Sequence, residues 1–317
     1  MEKKLIIQNG STAFEPCVLE GIDWTTERKG VPGKLTFEVY QDDILNVQEG
    51  NAVKWTVDGK DMFYGYIFRM SRSKDKTVKI TAYDQMRYLK NKYTYSYKAK
   101  TATDVINMIV NDFEFKAGEI ASIAFVIVKR IEENKTLLDM IQTALEITLT
   151  NTKKLYVFYD DAGKLTLTPI DDMRVGLLVD AETGQGFEYS SSIDDETYNR
   201  IMLVHGKGKK QKTYIAEDKE NMKKWGLLQY YESIDEKKNA QLKADSLLAL
   251  HNVKSKTLQI TGCAGDLRVR AGSLIAVTLN LGDTKVNNWM IVEVCKHSWR
   301  LDEHTMDLTL RGGEFVG

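Results

Sequence analysis

Residues 47–57 read VQEGNAVKWTV, and residues 269–279 read VRAGSLIAVTL. Each places a polar turn closed by glycine before a strand that alternates apolar and polar positions, the period-2 signature of a sheet with an inside and an outside. Before the first stretch, and on to about residue 98, the same alternation recurs. Strands are expected over 5–7, 18–24, 35–40, 52–57, 62–70 and 78–82, separated by Gly, Asn or Asp turns. Asp58-Gly59 marks a tight hairpin, because such turns require positive φ and glycine tolerates it.

From about residue 99 the period changes from two to nearly four. KTATDVINMIVNDF sets Val105, Met108, Ile109 and Phe113 on one helical face, and Thr101 with Asp104 forms a capping-box start. A second helix over about 136–147 repeats the device with Thr136 and Asp139, and lines Leu138, Ile141 and Leu145 along one side. LYVFYDDAGKLTLTP then predicts a hairpin about residues 160–163. The polar stretch 180–196 (DAETGQGFEYSSSIDDE) reads as a connection. After a strand at 201–205, an amphipathic helix is expected near 236–250 with Ala240, Ala244 and Leu247 inward. Strands resume at 257–261, 274–279, 289–297 and 306–310.

The two opening stretches belong to a longer repeat. Gly50 matches Gly272; Val53, Trp55 and Val57 match Ile275, Val277 and Leu279; TVKITA (77–82) matches TMDLTL (305–310). The offset grows from 222 to 228. Matching Phe63 with Trp289 makes the second hairpin four residues longer, and the other two residues fall in the next turn. Insertions confined to turns are what two copies of one fold would carry. The long strand of each copy is apolar on both sides. In the first, Phe63, Gly65 and Ile67 share one face and Met62, Tyr64, Tyr66, Phe68 and Met70 the other. In the second, Trp289, Ile291 and Cys295 oppose Met290, Val292 and Val294. A strand with one wet face should alternate, so cover on both faces is expected, from the inserted helices or from a neighbouring subunit. Met62, Tyr64, Tyr66, Phe68, Met290, Val292 and Val294 are therefore the candidate subunit-interface residues.

Composition narrows the function. A length of 317 residues suits two or three domains at roughly 100–200 residues each, and 43% apolar residues can fill their cores. Lys+Arg 44 against Asp+Glu 45 leaves no basic excess for gripping a phosphate backbone, so no specific nucleic-acid partner is expected. Cys17, Cys263 and Cys295 are too few and scattered for a disulfide framework. The start lacks a signal-peptide pattern, and the strongest apolar run, residues 120–128, falls far short of the roughly 20 residues a membrane helix needs. Synthesis and folding in the cytoplasm, without membrane insertion, is the expectation. Three prolines argue for closely docked domains.

No catalytic motif emerges. GKGKKQK (206–212) lacks the spacing of a phosphate-binding loop and reads as a solvated hairpin. Cys295 and His297 share a strand face that distant Cys263 or His304 could join, but without CxxC or HxxxH spacing a structural role is favoured over zinc. No cofactor or metal site is expected. The pairs Asp42-Asp43, Asp160-Asp161, Asp171-Asp172 and Asp194-Asp195 lie in turns, where carboxylates cap amides. A cell-wall hydrolase using Asp160, Asp161, Asp171 and Asp172, or a carbohydrate-binding β module stacking sugars on Tyr93, Tyr95 and Tyr97, are the alternatives.

Four segments carry a family resemblance: PGKLTFEVYQD (32–42), VQEG through KITAYDQMRYLKNK (47–92), TATDVINMIV (101–110), and ETYNRIMLVHGKG with KKWGLLQYYE (196–208 and 223–232). The sequence resembles the XkdQ/YqbQ-type baseplate hub proteins of PBSX-like prophages and phage-tail-like bacteriocins, and more distantly the late-control D proteins of contractile tails. The resemblance implies an α+β, mainly β chain, with two tail-tube-like antiparallel barrel or sandwich domains (1–98 and 173–317) flanking a small α/β domain (99–172). It also implies a homotrimer whose six β domains meet a hexameric tail tube protein on one side and a trimeric spike protein on the other, among other baseplate proteins of a virion or tail-like particle. No enzymatic activity is implied.

Overall fold

A computed structural model describes residues 1–41, 45–180, 182–194, 196–206, 211–234, 240–280 and 285–312. Asp42-Asp43, Asp195, residues 207–210 of the expected lysine-rich hairpin and residues 236–239 of the expected last helix lie outside the described residues.

The chain opens with β1 (Lys3–Asn9), β2 (Thr12–Phe14), β3 (Val18–Glu27), β4 (Lys34–Tyr40), β5 (Ala52–Val57), β6 (Lys60–Arg72) and β7 (Thr77–Tyr83). Asp58 (φ 47°) and Gly59 (φ 76°) form the β5–β6 turn, both left-handed as that turn requires. A short 3-10 helix, Gln85–Lys90, then leads into β8 (Lys92–Thr101), α1 (Ala102–Asp112), β9 (Ala117–Ile120), β10 (Val126–Thr136), α2 (Leu137–Thr152), β11 (Tyr156–Asp160) and β12 (Leu165–Pro169). Thr101 and Asp104 make the expected reciprocal cap on α1. Thr136 caps α2, which runs five residues past its expected end and stops where Lys153 turns left-handed at φ 61°. Ile106, Ile109, Leu137, Ile141 and Leu165 share one core with Met86 and Leu89 of the 3-10 helix.

The remainder holds β13 (Arg174–Val179), β14 (Gly186–Ser192), β15 (Arg200–His205), β16 (Lys212–Glu217), α3 (Lys219–Trp225), β17 (Gln229–Ile234), α4 (Ala240–His251), β18 (Ser255–Ala264), β19 (Leu274–Asn280), β20 (Lys285–Arg300) and β21 (Glu303–Gly312). β15, β16 and β17 form their own small sheet, and Ala244 and Leu247 of α4 pack on its Ile201, Leu203 and Ala216. The last helix thus belongs to a compact unit inserted between β14 and β18.

The other strands of the first and last thirds form one 13-stranded sheet, in which the repeat becomes explicit. The first half runs β3-β4-β7-β6-β5-β1 and the second β14-β18-β21-β20-β19-β13. The order is the same. It differs at its ends: β1 lies antiparallel to β5, whereas β13 lies parallel to β19. The fold is mainly β with helices set apart, as expected. The described pairings close no barrel, so of the two expected forms the closed one is absent.

The turn before each repeat strand is identical in its hydrogen bonds. Asn51 N–H donates to Gln48 O and Ser273 N–H to Arg270 O. The side chains of Asn51 and Ser273 accept in return from the Gln48 and Arg270 amides at 3.0 and 3.1 Å. Gly50 and Gly272 sit at φ 88° and 94°. Each then donates to the long strand, Gly50 to Ile67 O and Gly272 to Val292 O, both at 2.8 Å.

This pairing corrects the sequence alignment. Val53 pairs with Gly65 and Ile275 with Met290, so the second hairpin is three residues longer, not four, and Phe63 does not match Trp289. A one-residue slip exchanges the two faces of a strand. The inward face Phe63, Gly65, Ile67 therefore corresponds to the face carrying Met290 and Val292.

The second correction concerns the polar stretch 180–196. It contains β14, which pairs with β18 as β3 pairs with β4. Through those ladders Gly21-Ile-Asp-Trp-Thr-Thr-Glu27 aligns with Gly186-Phe-Glu-Tyr-Ser-Ser-Ser192: glycine, apolar, acid, aromatic, hydroxyl, hydroxyl. A strand that ends in three serines looks like a loop when read without its partner strand.

Candidate assembly interface

The apolar outer face of β6 begins where β5 and β6 slip register. Trp55 pairs with Phe63 but Thr56 with Asp61, leaving Met62 as an extra residue. A bulge turns neighbouring side chains to one side, and Met62 and Phe63 both enter the core, 5% and 2% exposed. Gly65 sits where a Cβ would collide with the Tyr83 carbonyl oxygen. Tyr64, Tyr66 and Phe68 point outward and are half-buried. Met70, expected on that same face, lies beyond the skipped Phe68, pairs with Ile80 and packs on the core inside.

Much of that cover comes from this chain. Tyr66 and Phe68 contact Tyr88 of the 3-10 helix at ring-centroid distances of 5.7 and 5.6 Å, and Phe68 also meets Tyr83 at 5.6 Å. The Arg87 guanidinium lies 5.2 Å above the Phe68 ring. Gly163, at the β11–β12 turn, fits against Tyr64: a Cβ there would approach its Cδ1 to 2.7 Å. Burial pushes the Tyr66 and Tyr88 hydroxyls up.

Met290 and Val292 are 1% and 0% exposed within the core formed by β18–β21. With Met62 they are filled positions of this chain's own cores. Val294 is half-buried in mid-sheet, paired with both Glu27 and Thr309. Tyr64, Tyr66, Phe68 and Val294 are the candidates that retain outward surface.

The halves join where the C-terminal part of β20 takes β3 on the edge opposite β21. Val294 pairs with Glu27, His297 with Trp24 and Trp299 with Ile22. Arg28 grips Glu293 through two hydrogen bonds of 2.9 and 2.8 Å, and Arg311 adds a third contact at 3.0 Å. Burial opposes ionisation of Glu293, but the Arg28 hydrogen bonds and the two arginine charges hold its carboxyl below the usual range. Ser298 and Arg300 both donate to Asp23 at 2.8 Å.

His297 is fully buried in this junction, stacked on Trp24 at 5.2 Å and on His304 at 5.1 Å. Its Nε2 lies 2.8 Å from Val269 O and its Nδ1 2.8 Å from His304 Nε2. A carbonyl only accepts, so Nε2 carries the proton and Nδ1 accepts from His304. Burial pushes His297 down to about 3 and His304 to about 4. Cys295 Sγ lies 3.3 Å from His297 Nε2, while Cys263 hydrogen-bonds Met306 O instead. Among the described residues no group of three or more ligating side chains is placed to hold a metal ion.

The alternative chemistry is dispersed. Asp160 is buried and accepts from Gly163 N at 2.7 Å, shaping its own turn. Burial pushes its carboxyl up, as it does that of Asp84, which accepts from the Gly33 and Met86 amides. Asp161 reaches Arg270 at 3.6 Å, and exposed Asp171 pairs with Arg174. Arg270 also donates to the Asp160 carbonyl at 2.8 Å and covers Tyr159, fastening the middle unit to the second half. Tyr95 and Tyr97 are buried in the α1–α2 core and Tyr93 is 49% exposed, so the three tyrosines form no stacking platform. A cleft of about 770 Å³ between α2, α4 and β10 holds none of these carboxylates. No helix among the described residues is long and apolar enough to cross a membrane.

The chain is thus a repeated β unit, joined edge to edge and decorated by α/β insertions. The model of the YQBQ-like family matches residues 22–311, and the chain belongs to that family. It is 32% identical over 270 residues to the phage-like element PBSX protein XkdQ of Bacillus subtilis strain 168, covering 83% of this chain and 82% of that protein. Its fold is similar to that of the 43 kDa tail protein of prophage MuSo2 from Shewanella oneidensis, with a TM-score of 0.74 at 12% identity over 99% of this chain and 100% of the other. It is also similar in fold to an Escherichia coli type VI secretion component described as structurally similar to the T4 tail proteins gp27 and gp5. There the TM-score is 0.62 at 11% identity, over 99% and 78% of the two chains.

Proposed function

We propose that this protein is a structural component of a phage-tail-type baseplate, the hub that joins a hexameric tail tube to a trimeric spike. The observation that carries the reading is the shared strand order of the two halves, down to the paired Gly50–Ile67 and Gly272–Val292 bonds. Two equivalent β units in one chain allow three chains to offer six equivalent positions. In this reading residues 1–98 and 173–317 supply the tube-like units, 99–172 an outer α/β domain, and the unit of β15–β17 with α4 a second one. The partners are a tail tube protein, a spike protein and other baseplate proteins, and the particle assembles in the bacterial cytoplasm. The protein performs no reaction of its own; its work is symmetry matching. Membership of a family that includes a phage-like element protein, and a fold similar to tail proteins, support this. Sedimentation velocity of the purified protein tests it: a trimer or closed ring is expected, and a monomer at micromolar concentration contradicts it.

A further inference from the structure

The repeat leaves two strand edges unequal to their counterparts. In the second half, β20 from Val294 to Trp299 is covered by β3. In the first half the corresponding edge of β6, beyond its bonds to β5, has no partner strand among the described residues. Conversely β3 is paired on both edges, whereas its counterpart β14 pairs only with β18 and ends the sheet. One open edge is thus the equivalent of a receiver, and the other the equivalent of its guest.

We propose that a second copy of this chain docks here by strand addition, its β14 pairing antiparallel with residues 69–72 of β6. The contact reproduces between chains the β3–β20 junction found within one, and it rests on the ring reading above.

The register follows from the equivalences. β6 and β20 carry the same irregularity against their hairpin partners: pairing skips Phe68 between Ile67 and Arg69, and Glu293 between Val292 and Val294. Arg69 and Met70 therefore stand for Val294 and Cys295, while Ser191 and Ser192 stand for Thr26 and Glu27. Because Val294 faces Glu27 and Cys295 faces Thr26, Arg69 faces Ser192, Met70 faces Ser191, Ser71 faces Ser190 and Arg72 faces Tyr189. The β6–β7 turn is shorter than its counterpart, so Glu188 and Phe187 pass beside Ser73 and Lys74 beyond the last ladder pair.

Two features of composition fit this contact. The intrachain junction is clamped at its skipped residue by Arg28 on Glu293. The equivalent pair between chains is Ile193 with Phe68, both half-buried: an ion pair replaced by an apolar pair, matched on both sides. Charge is complementary as well. Arg69, Arg72 and Lys74 line the receiving edge, whereas Glu188 and Asp194 lie on and after β14. Exposed edges usually carry devices against pairing. β14, with GFEYSSS, has neither lysine nor proline in its seven residues.

Site-directed cross-linking tests the register. Directly opposed residues of antiparallel strands have Cα atoms about 4.5–5.5 Å apart, within disulfide reach. Met70→Cys with Ser191→Cys, in a Cys17→Ser background that removes the exposed native thiol, is oxidised and run on a denaturing gel without reductant. Loss of the monomer band to dimers and trimers is expected. The same chain with Ser190→Cys in place of Ser191→Cys, whose thiol points to the opposite face, should keep its monomer band. Cooperative thermal melts with the same midpoint for both variants under reducing conditions establish that both fold, since Met70→Cys trims the same core contact in each. A trimer by sedimentation without the Met70–Ser191 cross-link, or with equal cross-linking in the control, overturns the edge assignment and leaves the ring reading standing. A monomer by sedimentation that also resists cross-linking overturns both.

Discussion

Ile67 of β6 and Val292 of β20 occupy the same place in the two halves of this chain. Each accepts a 2.8 Å hydrogen bond at its carbonyl from the glycine of its repeat turn and donates to the following residue at 2.9 Å. Each is followed by the residue that its strand skips in pairing with the next strand. Duplication is thereby fixed at the level of single hydrogen bonds, and the differences between the copies become informative.

The two repeat glycines should respond unequally to a methyl group. Gly50 and Gly272 share a left-handed φ, so an alanine at either is strained by about 1–3 kcal/mol. A Cβ at Gly50 meets nothing within 4 Å, whereas at Gly272 it would approach Val157 to 2.6 Å. Gly272→Ala is expected to cost about 1–3 kcal/mol more than Gly50→Ala, because the middle unit must shift as well. Paired urea melts of the two variants measure the difference.

The junction should be acid-sensitive. His297 and His304 are held neutral, with folded values of about 3 and 4 below the ordinary 6.5. The unfolded chain therefore takes up protons first. Their stabilisation is complete above about pH 6.5 and is lost as pH falls through the window toward 4 and 3. At pH 5 the loss is about 2 kcal/mol for His297 and less for the partly exposed His304. Buried Asp84 and Asp160 act oppositely, since their raised values favour the folded state as pH falls. Melts at pH 7 and pH 5 of the wild type and of His297→Gln with His304→Gln separate the contributions; the double variant should lose less stability between the two.

Removing one side of the junction clamp should be costly. Arg28 is 6% exposed and its guanidinium is satisfied by Glu293. Glu293→Ala leaves a buried positive charge unpaired, with an expected loss of about 3–5 kcal/mol. Glu293→Gln, which keeps one acceptor, should lose less. Thermal melts rank the two variants.

The aromatic face of β6 divides in two. Tyr64 and Tyr66 contact Gly163 and Tyr88 of their own chain, so Tyr66→Asp is expected to lower the melting temperature of the protein itself. Arg69→Asp, at the exposed open end of the same strand, should leave the melt nearly unchanged and weaken self-association. Calorimetry and sedimentation on both variants distinguish the roles.

The local signals for much of this fold are strong in the sequence. The Asp58-Gly59 turn, the Thr101–Asp104 cap and the alternation of Val53, Trp55 and Val57 are set by neighbours along the chain, where pattern is informative. The rest is set by non-local pairing. The slip of one residue at Met62 comes from the cross-strand pairing of Trp55 with Phe63. β14 reads as polar connection because its partner β18 lies beyond a whole inserted unit. Pattern alone likewise exchanges the faces of β20, setting Met290 and Val292 outside where pairing makes both core. The match of GIDWTTE with GFEYSSS is visible by eye only after the ladders align it.

The measurement that bears most directly on this account is the mass of the purified protein by sedimentation velocity at micromolar concentration, with negative-stain images of the same sample. A trimer is expected, seen end-on as a ring with six similar lobes. A monodisperse monomer with no ring, or a closed assembly whose lobes do not number two per chain, contradicts it.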